Sequence, residues 1–133
     1  MSLYYADTSA VIKLLVEETH SEAFAEFYDA HSDAEWASSA LLQIELTRAV
    51  TRAMPALLPD ARDLLLAFSF IAIDDDIVMG AMNEPDRALR SLDAIHLATA
   101  RILSGDLDAV VSYDDRLLKA TQDAGLPTAT PRS

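Results

Sequence analysis

The chain has 133 residues and a formal net charge of −12, because 22 acidic residues outnumber 10 basic ones. Its length is that of one ordinary domain and 51% of its residues are apolar, so we expect a single domain with a hydrophobic core over residues 1–133. The acidic balance excludes a simple basic clamp for nucleic acids, and the absence of cysteine excludes disulfides, cysteine–zinc sites and thiol nucleophiles.

The first half of the chain alternates short apolar runs with longer helical patterns. Residues 3–6 predict a strand that ends at Asp7, and a second strand is predicted around Trp36. Apolar residues at helical spacing predict helices over residues 10–16, 21–30 and about 40–54. Pro55 ends the third of these helices, and Pro59 begins another.

The second half continues the alternation. Strands are predicted over residues 70–73, 109–112 and 127–129, and helices over residues 77–82, 91–103 and 114–124. We expect Ser91 to cap the second of these helices, which is apolar on most sides and therefore predicted to be buried. Gly125 ends the third. Strands that alternate with helices indicate an α/β fold, with a parallel sheet covered on both faces.

Four acids occupy positions that favour a functional site. In parallel sheets, ligands bind outside the carboxyl ends of the strands. Asp7 ends the first strand and Asp114 closely follows residues 109–112, so both belong at the same rim. Glu45 lies beside the apolar stripe of its helix, and Asp93 lies in a first helical turn, where the helix dipole favours negative charge.

Carboxylates gathered at one rim repel each other and resist the loss of water. Hard divalent cations relieve this repulsion, and magnesium and manganese prefer carboxylate oxygens. A site of this kind turns a bound water into a nucleophile and stabilises charge on a phosphoryl oxygen. An acidic protein is therefore able to cut an acidic polymer.

Three of the four acids also have ordinary structural interpretations. Asp7 is placed to be a plain helix cap, Asp93 to balance a helix dipole, and Asp114 with Asp115 to form a solvated turn. The densest acidic run, residues 74–76, is explained by capping and solvation. The functional interpretation therefore depends on the combination of acids.

The fourth acid and the nearby histidine have alternatives of their own. Glu45 is spaced to pair with Arg48 or Arg52 on its own helix. His96 follows Asp93 by three residues, a spacing at which two side chains can share one metal. Because the chain has only 3 histidines and no cysteine, a packed or supporting histidine is the favoured interpretation.

Four pieces of sequence, in this order, resemble the PIN-domain family and more closely the VapC toxins of bacterial toxin–antitoxin pairs. They are residues 6–10 (ADTSA), Glu45, residues 91–100 (SLDAIHLATA) and residues 112–117 (SYDDRL). The resemblance covers nearly the whole chain. It implies a three-layer α/β/α sandwich with a mostly parallel central sheet. It also implies a metal-dependent endoribonuclease that hydrolyses RNA phosphodiester bonds with a metal-activated water.

The resemblance implies which side chains form the site. It implies an acidic site for magnesium or manganese, formed by Asp7, Glu45, Asp93 and Asp114. It further implies that Ser9 (or Thr8) and Ser112 help to position the metal or its water. The neighbouring Asp115 leaves open which acid of the doublet is the ligand, and the spacing from Ser112 favours Asp114.

The resemblance also implies partners. These are an RNA substrate, a second copy of the chain in a homodimer, and a small VapB-like antitoxin that itself binds the operator DNA. No apolar run approaches the roughly 20 residues of a membrane span, and the first residues lack the pattern of a signal peptide. We therefore expect a cytoplasmic protein without a membrane partner.

Other functions fit the sequence less well. An aspartyl-phosphate phosphatase needs an acid two residues after its nucleophile, where this chain has Ser9. A phosphate-accepting receiver needs a lysine after a late strand, and neither Lys13 nor Lys119 is so placed. A catalytically silent PIN scaffold that acts through protein partners remains the alternative, although the intact acids disfavour it.

Overall fold

The fold is built on one sheet of five strands, seen in a computed structural model that describes residues 1–133. The strands are β1 (Leu3–Ala6), β2 (Glu35–Ser39), β3 (Ser69–Ile71), β4 (Ala109–Val111) and β5 (Thr128–Ala129). They are all parallel and lie in the order β3-β2-β1-β4-β5. Tyr5 of β1 pairs with Ala37 on one side and Val110 on the other, so β1 is the central strand. The predicted parallel sheet is confirmed.

Seven α-helices accompany the strands. They are α1 (Thr8–Val11), α2 (Ser21–Ala30), α3 (Leu41–Ala53), α4 (Leu58–Leu65), α5 (Asp75–Met82), α6 (Ser91–Ile102) and α7 (Asp115–Asp123). Short 3₁₀ turns over Ile12–Leu14 and Pro55–Leu57 extend α1 and precede α4. None of these helices combines the length and apolar content needed to cross a membrane.

Both faces of the sheet are covered. Because side chains alternate along a strand, Tyr4 and Ala6 join one apolar cluster while Tyr5 joins another. The first cluster is completed mainly by side chains of α2 and α3, and the second by side chains of α6 and α7. The result is the expected three-layer α/β/α sandwich.

The order of the strands creates a crevice at the centre of the sheet. From β1 the chain moves outward through β2 to β3, and it then returns to add β4 on the other side of β1. The connections that leave β1 and β4 therefore diverge. Ligands of open parallel sheets bind at such a switch point, outside the carboxyl ends of the strands.

The first helix differs from its prediction over residues 10–16. It begins at Thr8, and it passes into the 3₁₀ turn Ile12–Leu14. The physical reason is Asp7, whose Oδ1 accepts the backbone N–H of Ala10 and starts the helix two residues early.

The predictions for α6 were partly wrong. Arg90 occupies the N-cap position and makes no side-chain capping bond, so Ser91 is the first helical residue rather than the cap. The predicted burial holds for the middle of the helix, where residues 96–100 are all buried, but it fails at the two ends, where Leu92 is 50% exposed and Ile102 is 56% exposed. An apolar residue does not fix which neighbour, if any, packs against it.

Candidate functional site

An open cleft of about 650 Å³ lies at the carboxyl-terminal edge of the sheet. Its lining residues are Glu45, Arg90, Ser91, Leu92, Asp93, Tyr113, Asp114, Asp115 and Arg116. Three of the four acids singled out from the sequence are among them. The fourth, Asp7, is only 3% exposed, and its negative charge acts on Asp93.

A pair of serines holds Asp7 between the ends of β1 and β4. Ser9 Oγ donates to Oδ1 of Asp7 at 2.7 Å, and Ser112 Oγ donates to Oδ2 at 2.8 Å. The same hydroxyls accept the backbone N–H groups of Tyr113, at 2.8 Å, and Asp114, at 3.1 Å. Burial raises the pKa of Asp7, while the two hydroxyl bonds oppose that rise. Ser9 and Ser112 thus fix the carboxylate and the loop that carries Asp114.

Glu45 is held from two directions. The Thr8 hydroxyl donates to its Oε1 at 2.7 Å, and Nε2 of His96 lies 2.8 Å from the same oxygen. Burial alone would raise the pKa of Glu45, but the bonds from His96 and Thr8 outweigh burial and lower it. The alternative pairing with Arg48 or Arg52 is wrong, since neither arginine makes an ion pair.

Asp93 differs from the other three acids because it makes no hydrogen bond with the protein, although it is half-buried. Burial, followed by the negative charges of Asp114 and Asp7 and a smaller contribution from Glu45, raises its pKa from 3.8 to about 6. Three acids from other elements of the fold therefore act on Asp93.

Asp7 and Asp114 are also helix caps, in addition to their place at the cleft. Asp7 caps α1, as described above, and Asp114 caps α7 by accepting the N–H of Leu117 on Oδ1 at 2.9 Å. The Oδ2 atom of Asp114 takes part in no hydrogen bond, which leaves it free toward the cleft. Asp115 is exposed and is the first residue of α7.

The donor chemistry of the cleft fits magnesium or manganese. No group of three or more Asp, Glu or His side chains has a spacing that would by itself hold a metal ion. Magnesium, however, keeps several waters and takes only one or two carboxylates from a protein, so a closed cage is not required. The carboxylate of Asp93 has no hydrogen-bond partner and is repelled by three other acids. A cation bound at this carboxylate would relieve the most electrostatic repulsion.

Two supporting contacts were not predicted from the sequence. Tyr5 contacts His96 through a buried hydrogen bond of 2.6 Å, and the Thr8 hydroxyl donates to Glu45. The alternation along β1 places Tyr5 on the face of the sheet that α6 covers, which was the signal available. Arg90, which lines the cleft, was also missed.

Comparison with known proteins agrees with this geometry. The sequence profile of the PIN-domain family matches residues 4–122. The chain belongs to the PIN-domain family. Within that family it is 39% identical over 131 residues to Ribonuclease VapC35 of Mycobacterium tuberculosis, an alignment that covers 97% of each chain. The family and the VapC resemblance expected from the sequence are confirmed.

Solved structures share the fold. The VapC20 toxin of M. tuberculosis, described as cleaving the sarcin-ricin loop, superposes with a TM-score of 0.75 at 15% identity. That superposition covers 96% of this chain and 99% of VapC20. VapBC2 of Rickettsia felis, solved on a promoter DNA fragment, gives a TM-score of 0.73 at 12% identity, over 97% and 98% of the two chains.

Proposed function

We propose that this chain is a divalent-metal-dependent endoribonuclease and the toxin of a VapBC-type pair. The observation that carries the proposal is the carboxylate of Asp93 at the mouth of an open cleft, which makes no hydrogen bond with the protein and has its pKa raised by burial and by three other acids. Its VapC relatives, which are named as ribonucleases, support the same activity.

The roles of the acids follow from their contacts. A bound magnesium or manganese ion would supply the charge that stabilises a phosphoryl oxygen and the activation of a water. Asp93, Asp114 and Glu45 line the cleft and would hold the ion. Asp7 is fixed beside them by Ser9 and Ser112 and adds negative charge that favours a cation.

Two arginines give the cleft a means to bind RNA. Arg90 and Arg116 line it, are exposed and make no ion pair with any acid. A guanidinium binds phosphate oxygens with two parallel hydrogen bonds. On this acidic protein, the two side chains would hold the flanking phosphates of the RNA while the scissile phosphate lies at the carboxylates.

The partners follow from the same proposal. We infer a VapB-like antitoxin whose basic segment is attracted by a net charge of −12, and a homodimer of the toxin. The negative charge opposes direct contact with DNA, so contact with operator DNA would occur through the antitoxin. Because RNA is the proposed substrate, we infer a cytoplasmic location.

The proposal is tested by RNA cleavage with the purified chain in magnesium or manganese. We expect cleavage that EDTA abolishes and that Asp7→Asn removes, when the variant is purified in parallel. Equal cleavage in every sample would indicate a contaminating nuclease and overturn the proposal.

A growth experiment separates the silent-scaffold alternative. We expect expression of the wild type in a bacterial host to arrest growth, and Asp7→Asn to relieve the arrest. Harmless expression of a folded wild type that binds manganese would favour the scaffold.

A further inference from the structure

A buried hydrogen-bonded chain runs from the central strand to the cleft. The hydroxyl of Tyr5, on β1, lies 2.6 Å from Nδ1 of His96, on α6, and Nε2 of His96 lies 2.8 Å from Oε1 of Glu45, on α3. Tyr5 is 0% exposed and His96 is 2% exposed. Two layers of the fold and the sheet between them therefore meet at one imidazole.

The groups around the Tyr5 hydroxyl favour one direction for these hydrogen bonds. The N–H of Ser39 donates to the hydroxyl at 3.2 Å, so this contact cannot take the hydroxyl proton. The shortest hydrogen bond of the hydroxyl, at 2.6 Å, is with Nδ1 of His96. On the other side of the ring, Nε2 faces a carboxylate, which only accepts. Nδ1 is therefore the acceptor, and Nε2 carries the proton that it donates to Glu45.

This arrangement leaves one oxygen of Glu45 free. Both donors, the Thr8 hydroxyl and Nε2 of His96, contact Oε1, and Oε2 takes part in no hydrogen bond. Every buried side-chain oxygen and nitrogen of the chain has a partner, so Oε2 is in contact with solvent. Glu45 lines the cleft, and Oε2 is the atom through which it is available there.

We propose that His96 is a positioning residue: its Nε2–H and the Thr8 hydroxyl hold Oε1 of Glu45, so that Oε2 is presented to the cation in the cleft. Tyr5 keeps His96 in the required tautomer. The inference rests on the proposed function, because it assigns Oε2 to the same metal site. Hydrogen-bond donors behind a metal ligand set its orientation, and their loss typically weakens metal binding about 10-fold to 100-fold.

The first test measures the tautomer in the metal-free wild type. Long-range ¹H–¹⁵N correlation spectra of the labelled protein report which nitrogen of His96 carries the proton. We expect a proton on Nε2, the nitrogen that faces Glu45. A ring whose proton lies on Nδ1 and not on Nε2 would overturn the proposal.

The second test measures Mn²⁺ binding by isothermal titration calorimetry for the wild type, His96→Gln and His96→Leu. The glutamine amide retains an N–H donor near the position of Nε2, whereas leucine has none. We expect His96→Leu to bind Mn²⁺ about 10-fold or more weakly, and His96→Gln to recover most of that loss. Thermal unfolding of the metal-free variants checks that both fold to a similar stability.

The outcomes separate this inference from the proposed function. A wild type that binds no Mn²⁺ would contradict the proposed function. A wild type that binds, with both His96 variants binding equally well or equally badly, would overturn the inference alone. If neither variant folds, Thr8→Val removes the other donor to Oε1, and unchanged Mn²⁺ affinity in that variant counts against the proposal.

Discussion

Two acids of the cleft, Asp7 and Asp114, follow strands of the sheet, as does the acidic run at residues 74–76, yet their surroundings differ. Asp74 accepts the N–H of Ile77 at 3.0 Å and caps α5, and the whole run is exposed. In the cleft, Asp93 is half-buried among three other acids and its pKa rises to about 6. Three consecutive acids thus remain in solvent, while four that are distant in sequence interact.

The position of the strands explains the difference. Residues 74–76 follow β3, an edge strand with a single neighbour. Asp7 and Asp114 follow β1 and β4, which pair directly at the switch point of the sheet. The central position brings in α3 and α6 as well, which add Glu45 and Asp93. Convergence of elements, rather than density of acids in the sequence, makes the cleft.

The largest expected effect is a loss of RNA cleavage that occurs when an acid of the cleft is changed but not when an acid of the exposed run is changed. We expect Asp93→Asn to reduce RNA cleavage about 100-fold or more, because it removes a charged oxygen from the proposed metal site. Asp75→Asn, the matched change in the exposed run, is expected to leave the rate unchanged. Initial rates on one RNA substrate measure both. Equal losses in the two variants would end the distinction between the regions.

Metal binding is expected to stabilise the protein through the cleft alone. At 100 times the dissociation constant, Mn²⁺ would raise the free energy of unfolding by about 2.7 kcal/mol. Urea denaturation with and without the ion measures this for the wild type, Asp93→Asn and Asp75→Asn. The gain should disappear in the first variant and persist in the second. A gain that persists in Asp93→Asn would place the ion elsewhere.

The raised pKa of Asp93 predicts a stability effect in the metal-free protein. The folded state holds this proton more tightly than the unfolded state, so stability falls as the pH rises from about 4 to about 6 and stays lower above that range. Neutral Asn avoids the loss. After allowance for screening by solvent, Asp93→Asn should stabilise the protein by about 1 to 2 kcal/mol at pH 8 and by nothing below pH 4.

Urea denaturation in EDTA across this pH range tests the prediction, with Asp75→Asn as the control. A constant difference between Asp93→Asn and the wild type at all pH values would contradict it.

The smallest expected effect belongs to the exposed run. Asp74→Ala removes the cap of α5 and should cost about 1 kcal/mol of stability, with RNA cleavage unchanged in the folded protein. Asp76→Ala removes an exposed acid of the first turn and should cost less. Loss of cleavage in folded Asp74→Ala would show that the run contributes to the active site after all.

Local chemistry made much of this fold predictable. The predicted bounds of β1 and α2 agree with the structure, because a short apolar run that ends at Asp7 defines β1 and apolar residues at helical spacing define α2. The parallel order followed from the alternation of strands and helices, and the rule for carboxyl ends directed attention to Asp7 and Asp114 before their positions were known. Their roles as metal ligands remain a prediction.

The remainder depends on contacts that no local pattern encodes. Tyr5 and His96 are 91 positions apart, and their hydrogen bond exists only after the sheet has assembled beneath α6. Leu92 was predicted to be buried with the rest of its helix, yet it is 50% exposed. The apolar character of a residue does not show whether a neighbour covers it. Ser91 is a residue type that often caps helices, but it lies one position too late in the chain, inside the helix.

The insertion of β4 beside the central strand has a consequence for biosynthesis. Chains emerge from the ribosome from their N-terminus, and a domain generally folds as a unit. Until residues 109–111 have emerged, one edge of β1 has no partner, and Ser112 and Asp114 are missing from the rim. A nascent chain therefore cannot assemble the acidic cleft, and the proposed activity would arise only after residues 109–114 have left the ribosome.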